Sequence, residues 1–417
     1  MLKTATFMLS SILCTFDVTA QRADTLVRHV NRPVHSGVAT LRRELSIGVA
    51  DGDEKYMMGA IADVAVSASG DIYVWDRSIP AIRMYDASGK YIRTIGRLGS
   101  GPGEYRPGGA LAIGKNGTLL MWDPGNARIN VYTASGDVVT SWPTKSGSAG
   151  SIDGSGLLTV DVAGYAYAKS MFVIRQQGQP MDTRTGWIRF QPDGSLQDTI
   201  LAPSYPGERV LHVEARGRFS SRYVPFTPHA HFEVSPLGYF VSGVNDRIAL
   251  DINEPGKPVV SIRRTIVPRA VTARERDSAR ADITADMRAV LPSWSWNGGD
   301  IPKTKPVYSS LTVASDGRLW VELAEGPRAK EDSTALGRGQ MMIMEGRGGG
   351  AIRTVPWSCP STGWMLFDVY EPAGTYLGQV QVPARVDAIV MRGDFIWATT
   401  CNDDGVPSVG RYRIIWR

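Results

Sequence analysis

The chain is poor in the residues from which most active sites are built. Only 3 of its 417 residues are cysteine and 5 are histidine, so soft metal ligands and nucleophiles are scarce. The Gly-x-Ser-x-Gly and His-Glu-x-x-His patterns are absent, as is a Cys–His nucleophile pair, which removes the most legible hydrolase signatures. No basic run occurs: 46 Lys and Arg stand against 41 Asp and Glu, for a net charge of +5. A nucleic-acid binder concentrates its cations, so no nucleic-acid partner is expected. No apolar run approaches the roughly 20 residues of a membrane-spanning helix. Helical periodicity is almost absent too. With 45 Gly and 25 Pro and a hydrophobic content of 43%, the composition fits an all-β chain rich in turns, with ample core.

What is present begins with a targeting segment. Lys3, the apolar stretch 5–16 and Val18-Thr19-Ala20 read as a signal peptide over residues 1–20, with the mature chain starting at Gln21. An exported protein, periplasmic or extracellular, is expected. Leu13 before Cys14 does not fit a lipid-anchor site. Past the leader two cysteines remain, Cys359 and Cys401. Export permits a disulfide between them, and two buried thiols are the alternative.

Residues 21–40 carry no clear pattern and read as a flexible leader. The stretch 61–96, IADVAVSASGDIYVWDRSIPAIRMYDASGKYIRTIG, holds four β-rich runs parted by small polar turns, as in a four-stranded antiparallel meander. It then repeats. At an offset of 47 residues Gly117 falls on Gly70, Trp122 on Trp75, Asp123 on Asp76 and Tyr132 on Tyr85, with no gap. One twisted sheet cannot bury both its faces, whereas sheets stacked radially bury each other's. The expected fold is therefore an all-β six-bladed β-propeller of four-stranded blades occupying residues 41–417 as a single domain; seven blades is the competing count. The last blade is one strand short, and LRRELSIG at 41–48 is a strand without a hairpin partner. It is expected to close that blade, since an open ring would leave bare edges.

Later units are irregular, with apparent insertions at about 162–186, 202–230, 268–309 and 323–363. The segment 156–161 reads as the second strand of the third blade. One segment is helical: 272–291 opens with Thr272 and Glu275 spaced as a capping box, and Ala279, Ile283, Met287 and Val290 form a narrow stripe. That stripe is expected to pack on the propeller.

The unit DIYVWDRSIPAIRMYDASGKYIRTIGRLGSGPGEY, with SDGRLWV at 315–321 and FDVYEPAGTYLGQVQVP at 367–383, resembles bacterial secreted six-bladed propellers of the NHL-repeat and TolB-like superfamily. The resemblance implies a binding or scaffolding module more often than an enzyme. The WD pairs at 75–76 and 122–123 end the second strand, unlike those of WD40 repeats, which end the third.

Loops joining strands two and three share one face with the crossovers between blades, and the long segments fall there. That face is the expected binding face, because function concentrates on loops over a rigid scaffold. Four sets of candidates lie on it. The Gly-rich crossover 96–108 offers Arg97, Glu104, Tyr105 and Arg106, either as an anion cradle or as a tight structural turn. Arg209, Arg216, Arg218, Arg222, Lys303 and Lys305 form a cationic mouth or a rim of ion pairs with Glu208, Glu214 and Asp300. Trp294 and Trp296 either stack on a sugar or anchor the helix loop. His229 and His231, with His212, are weak metal candidates against a structural role. The expected function is non-enzymatic binding of a protein, peptide or glycan by a monomer without a cofactor. The alternative is a lactonase-like, metal-dependent hydrolase or lyase at the channel mouth: Asp76, Asp123, Asn126 and Asp251 lie near second-to-third strand loops as candidate cation ligands, and Ca²⁺ enters only by analogy with propeller lactonases.

Overall fold

The structure, a computed structural model, describes residues 25–417 apart from 77, 107–108, 145–156, 175–181, 204, 206, 208, 325–363, 384–388 and 402–404. The signal peptide, Cys359 and most of the 323–363 segment therefore lie outside the described residues. Two strands come first, β1 (Leu26–His29) and β2 (Val38–Ile47). A first sheet follows from β3 (Ile61–Val66), β4 (Ile72–Asp76), β5 (Ala81–Tyr85) and β6 (Tyr91–Ile95). The crossover out of it carries a two-residue parallel pair, β7 (Arg97–Leu98) and β8 (Glu104–Tyr105). The second sheet is β9 (Leu111–Ile113), β10 (Leu119–Asp123), β11 (Arg128–Tyr132) and β12 (Val138–Pro143). The third is β13 (Leu158–Val160), β14 (Ala166–Ile174), β15 (Asp182–Phe190) and β16 (Leu196–Leu201).

A separate hairpin, β17 (Val210–Ala215) and β18 (Arg218–Tyr223), precedes the fourth sheet. That sheet is β19 (Ala230–Val234), β20 (Phe240–Val244), β21 (Ile248–Asn253) and β22 (Val260–Arg264). Helix α1 (Ala273–Val290) comes next. The fifth four-stranded unit is β23 (Tyr308–Val313), β24 (Leu319–Leu323), β25 (Trp364–Tyr370) and β26 (Tyr376–Pro383), which a short parallel pairing with β2 joins to the sixth in one eight-stranded sheet. The sixth has β27 (Ile389–Arg392), β28 (Phe395–Cys401) and β29 (Pro407–Ile415), and β2 adds antiparallel to β29 as its fourth strand. No helix among the described residues is long and apolar enough to cross a membrane.

The repeat is visible in the turns. Gly70 and Gly117, 47 residues apart, both have positive φ (93° and 75°), which a residue with a side chain adopts only at a cost. Both link the first strand of a sheet to its second. Six apolar clusters lie between successive sheets. Trp75 and Tyr132 pack between the first and second, Trp122 and Phe190 between the second and third. Trp187 and Phe232 pack between the third and fourth, Ile262 and Tyr308 between the fourth and fifth, and Trp320 and Ile396 between the fifth and sixth. The last cluster, with Trp397 and Tyr85, returns from the sixth sheet to the first. Burying an aromatic ring of ~150–250 Å² at ~25 cal/mol per Å² is worth about 4–6 kcal/mol, so these rings dominate the attraction between sheets.

Three expectations are corrected. The described part of the 21–40 stretch, 25–40, is not a loose leader. Leu26–His29 pairs parallel to β22, the backbone of Val34 and His35 donates to Tyr376 and Leu377, and Val38 and Ala39 pair with β26. The segment is a strap laid over the outer strands of the fourth, fifth and sixth sheets. It escaped notice because β1 is exposed throughout and so has no alternation to read. The described residues of 162–186 are not an insertion: β13 is the first strand of its sheet, and β14 and β15 are its long second and third strands. The third correction concerns α1. Its capping box is present, but Met287 packs with Leu211, Val213, Val224 and Trp294. The helix therefore packs its stripe chiefly on the β17–β18 hairpin. Cys401 is buried and disulfide-bonded; its partner lies outside the described residues.

Candidate functional site

The antiparallel order places the start of every first strand on the same side as the turns between second and third strands. The crossover 96–109, the β17–β18 hairpin and α1 enter from this side.

The crossover is held by its neighbours. The Arg128 guanidinium donates to the carbonyls of Ser100, Gly101 and Glu104, Asn130 to Glu104, Tyr132 to Gly103 and Asn126 to Gly99. Its carbonyls are thus turned onto the second sheet, the opposite of what an anion cradle requires. Arg97 pairs with Glu104 at 2.7 Å, and the Gly101 N–H donates to the same carboxylate. The Gly101 N–H and Arg97 hold the Glu104 carboxyl below its usual range. Tyr105 is fully buried; its hydroxyl donates to Ile95 and accepts from the Ile82 N–H. Arg106 lies over Ser100 with its N–H on Asp123. Glu104 and Tyr105 therefore close a structural turn, and Tyr105 cannot reach a ligand.

The aspartates of the two WD pairs have a matching role. Asp76 accepts the N–H groups of Gly59, Ala60 and Ser78 and the Ser78 hydroxyl. Burial alone would raise its carboxyl, but these donors outweigh burial and hold it below the usual range. Asp123 accepts from the Arg106 and Asn126 N–H groups and the Asn126 amide, with Arg128 at 3.5 Å. Each staples the incoming crossover to a turn between second and third strands. That use occupies the oxygens a Ca²⁺ site would need, and Asp251 on β21 belongs to a different sheet. Among the described residues no three His, Cys, Asp or Glu side chains converge as a metal site requires.

The hairpin and helix make a satellite unit with its own core. Arg222 is not a free cation: it pairs with Asp286 of α1 at 2.8 Å. Arg209 donates to the Gly298 and Asp300 carbonyls, and Lys305 pairs with Glu275 at 2.5 Å. Trp294 is buried in the satellite core and so cannot stack on a sugar. Trp296 is half-buried, donates to Gly299 and lies under Arg280. Arg216 and Arg218, at the hairpin tip, stay exposed. The satellite's root meets the fourth sheet where the His229 N–H donates to the Asn245 side chain and the Val307 N–H to the Asn245 carbonyl. His229 packs edge-on against Tyr223, and His212 stands exposed on the hairpin.

Beside that root lies a group of ionisable side chains that sequence reading missed. Lys169 of β14 pairs with Glu233 of β19 at 2.6 Å. His231, two residues before Glu233, packs its ring 4.9 Å from that of Tyr308, the first residue of β23. The His231 Nε2 and the Tyr308 hydroxyl are both buried without a hydrogen-bond partner among the described residues. Burial raises Glu233 against the pull of Lys169, and burial, with Lys169 and His229, lowers His231 to about 4. On the first strand of the first sheet Asp63 accepts the Leu111 and Val64 N–H groups at 2.7 and 2.8 Å, yet burial raises it to about 7. A visible signal was the charge set into otherwise apolar inner strands, in IADVAV and AHFEV. Buried ionisable groups shifted from their usual range mark a candidate binding site.

Asp63 and His231 have opposite effects on stability. Asp63 is raised from 3.8 to about 7, so its contribution falls as pH rises between those values. His231 is lowered from 6.5 to about 4, so its contribution is complete above 6.5 and is lost as pH falls to about 4. The two slopes oppose each other across roughly pH 4–6.5. Asp63→Asn should make stability rise with pH in that window relative to wild type, and His231→Phe should make it fall. Urea titrations of the three proteins at several pH values check this, and parallel curves would contradict it.

Comparison with known proteins adds one family. A family model described as a 6-bladed beta-propeller (DUF5128) matches residues 52–140, the repeat read from the sequence. No curated protein matches the sequence. Solved structures similar over most of the chain include a Bacteroides fragilis protein described as exported, at 9% identity, with 94% of this chain and 99% of that one covered and a TM-score of 0.45. A DUF4221 family member from Bacteroides vulgatus shares 11% identity over 91% and 99% of the chains, at a TM-score of 0.44. Virginiamycin B lyase from Staphylococcus aureus shares 12% over 90% and 100%, at a TM-score of 0.39. At such identities the likenesses concern fold alone.

Proposed function

We propose that the chain is an exported, non-enzymatic six-bladed propeller of four-stranded blades, with β2 completing the sixth, and that it binds a protein, peptide or glycan through the face bearing the satellite unit. The observation that carries this reading is the asymmetry of the two sides. One side bears a hairpin and an 18-residue helix folded over their own core, rooted beside the Lys169–Glu233 pair. The described turns on the other side are tight, as at 67–71 and 86–90. A folded unit kept on one rim of a rigid scaffold is what recognition of a partner uses. The oxygens of Asp76 and Asp123 are committed to backbone and side-chain donors, which favours binding over metal-dependent hydrolysis. We further propose Cys359 as the partner of Cys401.

The test screens the mature chain against a random-peptide display library and an oligosaccharide array. Binders so selected should weaken at least tenfold against Arg218→Glu/Trp296→Ala. They should change less than twofold against Lys90→Glu/Lys257→Glu, which alters turns on the opposite side. The reverse order, or no binder from either collection, would contradict the proposal.

A further inference from the structure

The strap creates a second surface, away from the satellite. Leu26 and Val30 donate to the Val259 and Arg263 carbonyls. In a parallel ladder alternate residues face alternate edges, so the N–H and C=O groups of Val27 and His29 lie on the outer edge of β1, where no further strand is paired among the described residues. Such an edge is a template for another extended chain. Leu26 and Val27 are exposed there to 49% and 39%.

Beside this edge runs an open groove of about 570 Å³, lined by Arg28, His29, Asn31 and Arg32 of the strap and by Gly374 and Tyr376 of the fifth sheet. Gly374 lets the strap come close: a Cβ there would stand 2.9 Å from Arg28 Cδ. Arg28, His29 and Arg32 are all exposed, and Arg263, opposite His29 in the register, is exposed as well. The groove lining contains no acidic residue. On the fifth sheet, Asp368 pairs with Arg264 and Glu371 with Arg318, the latter at 3.1 Å. A bare strand edge flanked by arginines without an acidic partner among the described residues has the chemistry to recognise an extended chain carrying carboxylates.

We propose that this edge and groove bind an extended acidic polypeptide segment, its backbone adding to β1 at Val27 and His29 and its carboxylates meeting Arg28 and Arg32. This site is independent of the satellite face. The test is fluorescence anisotropy of the mature chain with a labelled decapeptide alternating glutamate and valine, beside its lysine–valine counterpart and a backbone N-methylated version of the acidic peptide. The acidic peptide should bind at least tenfold more tightly than the other two. It should weaken at least tenfold against Arg28→Glu/Arg32→Glu, and Arg32→Glu alone, outside any strand, should reproduce part of that loss if the double variant does not fold. Equal binding of the acidic and lysine peptides, indifference to N-methylation, or unchanged affinity in the variants would each overturn the proposal. So would binding of phosphatidylglycerol vesicles, but not the acidic peptide, through the same arginines.

Discussion

A chain that starts at residue 49 should fail to fold or should melt far below the full mature chain, while one that starts at residue 37 should melt within a few degrees of it. The difference lies in what each deletion uncovers. Removing residues up to 36 takes away β1, which is exposed along its length, and the Val34 and His35 bonds to β26. Removing β2 strips β29 of an antiparallel partner registered from Thr40↔Ile415 to Ile47↔Val409. It also takes the fully buried Ala39 from the cluster between the fifth and sixth sheets and Ile47 from the one between the sixth and first. The loss of apolar burial and ladder bonds is on the order of 5 kcal/mol, a large share of the roughly 5–15 kcal/mol by which a domain is stable. It also bares a sheet edge open to aggregation. Thermal melts of the three chains decide the matter, and an unchanged melt for the shortest would rule out β2 as the closing strand.

Asp368→Ala should cost about 3–5 kcal/mol, the usual result of leaving one member of a buried ion pair alone. Asp368 is fully buried and accepts from Arg264, Tyr370, Gln379 and, at 2.8 Å, Tyr376. It links the outer strand of the fourth sheet to the second hairpin of the fifth, so the penalty falls on packing between sheets. Without the carboxylate, the Arg264 guanidinium loses its charge partner over the Tyr376 ring. Removing both charges together, as Asp368→Leu/Arg264→Met, should recover much of the loss, since apolar replacement of a buried pair is often neutral. Urea denaturation of wild type, single and double variants gives the comparison. A single variant as stable as wild type would show that the pair contributes nothing.

The sequence was legible where local rules and the repeat agreed. The first two sheets followed from one 47-residue offset because each turn, Trp-Asp pair and Tyr recurred in step. Helix α1 was announced by Thr272 and Glu275, since a capping box is a purely local device. The third sheet was misread because it lacks the Trp-Asp pair and its second strand carries Ala166, Ala168, Lys169 and Ser170 in place of β-branched residues. The hairpin β17–β18 had a signal that was passed over: LHVE alternates apolar and polar, and Arg216-Gly217 supplies a tight turn in which both residues have positive φ. The strap had none, because its bonds go to strands more than 200 residues away. The candidate site was legible as a face and not as residues. Trp294 and Tyr105 looked available and are buried. Asp63 and Glu233 showed only as charges set into apolar strands, and Lys169 and Tyr308 had no local signal, since their meaning depends on which inner strands lie side by side.

Recognition by the satellite-bearing face would show in hydrogen exchange of the mature chain with and without a binder selected from the peptide or glycan collections. Slowed exchange should appear in 209–223, 273–305 and the starts of β19 and β23, with the turns at 67–71, 86–90 and 253–257 unchanged. Protection confined to those turns, with the satellite unit unaffected, would place recognition on the opposite side.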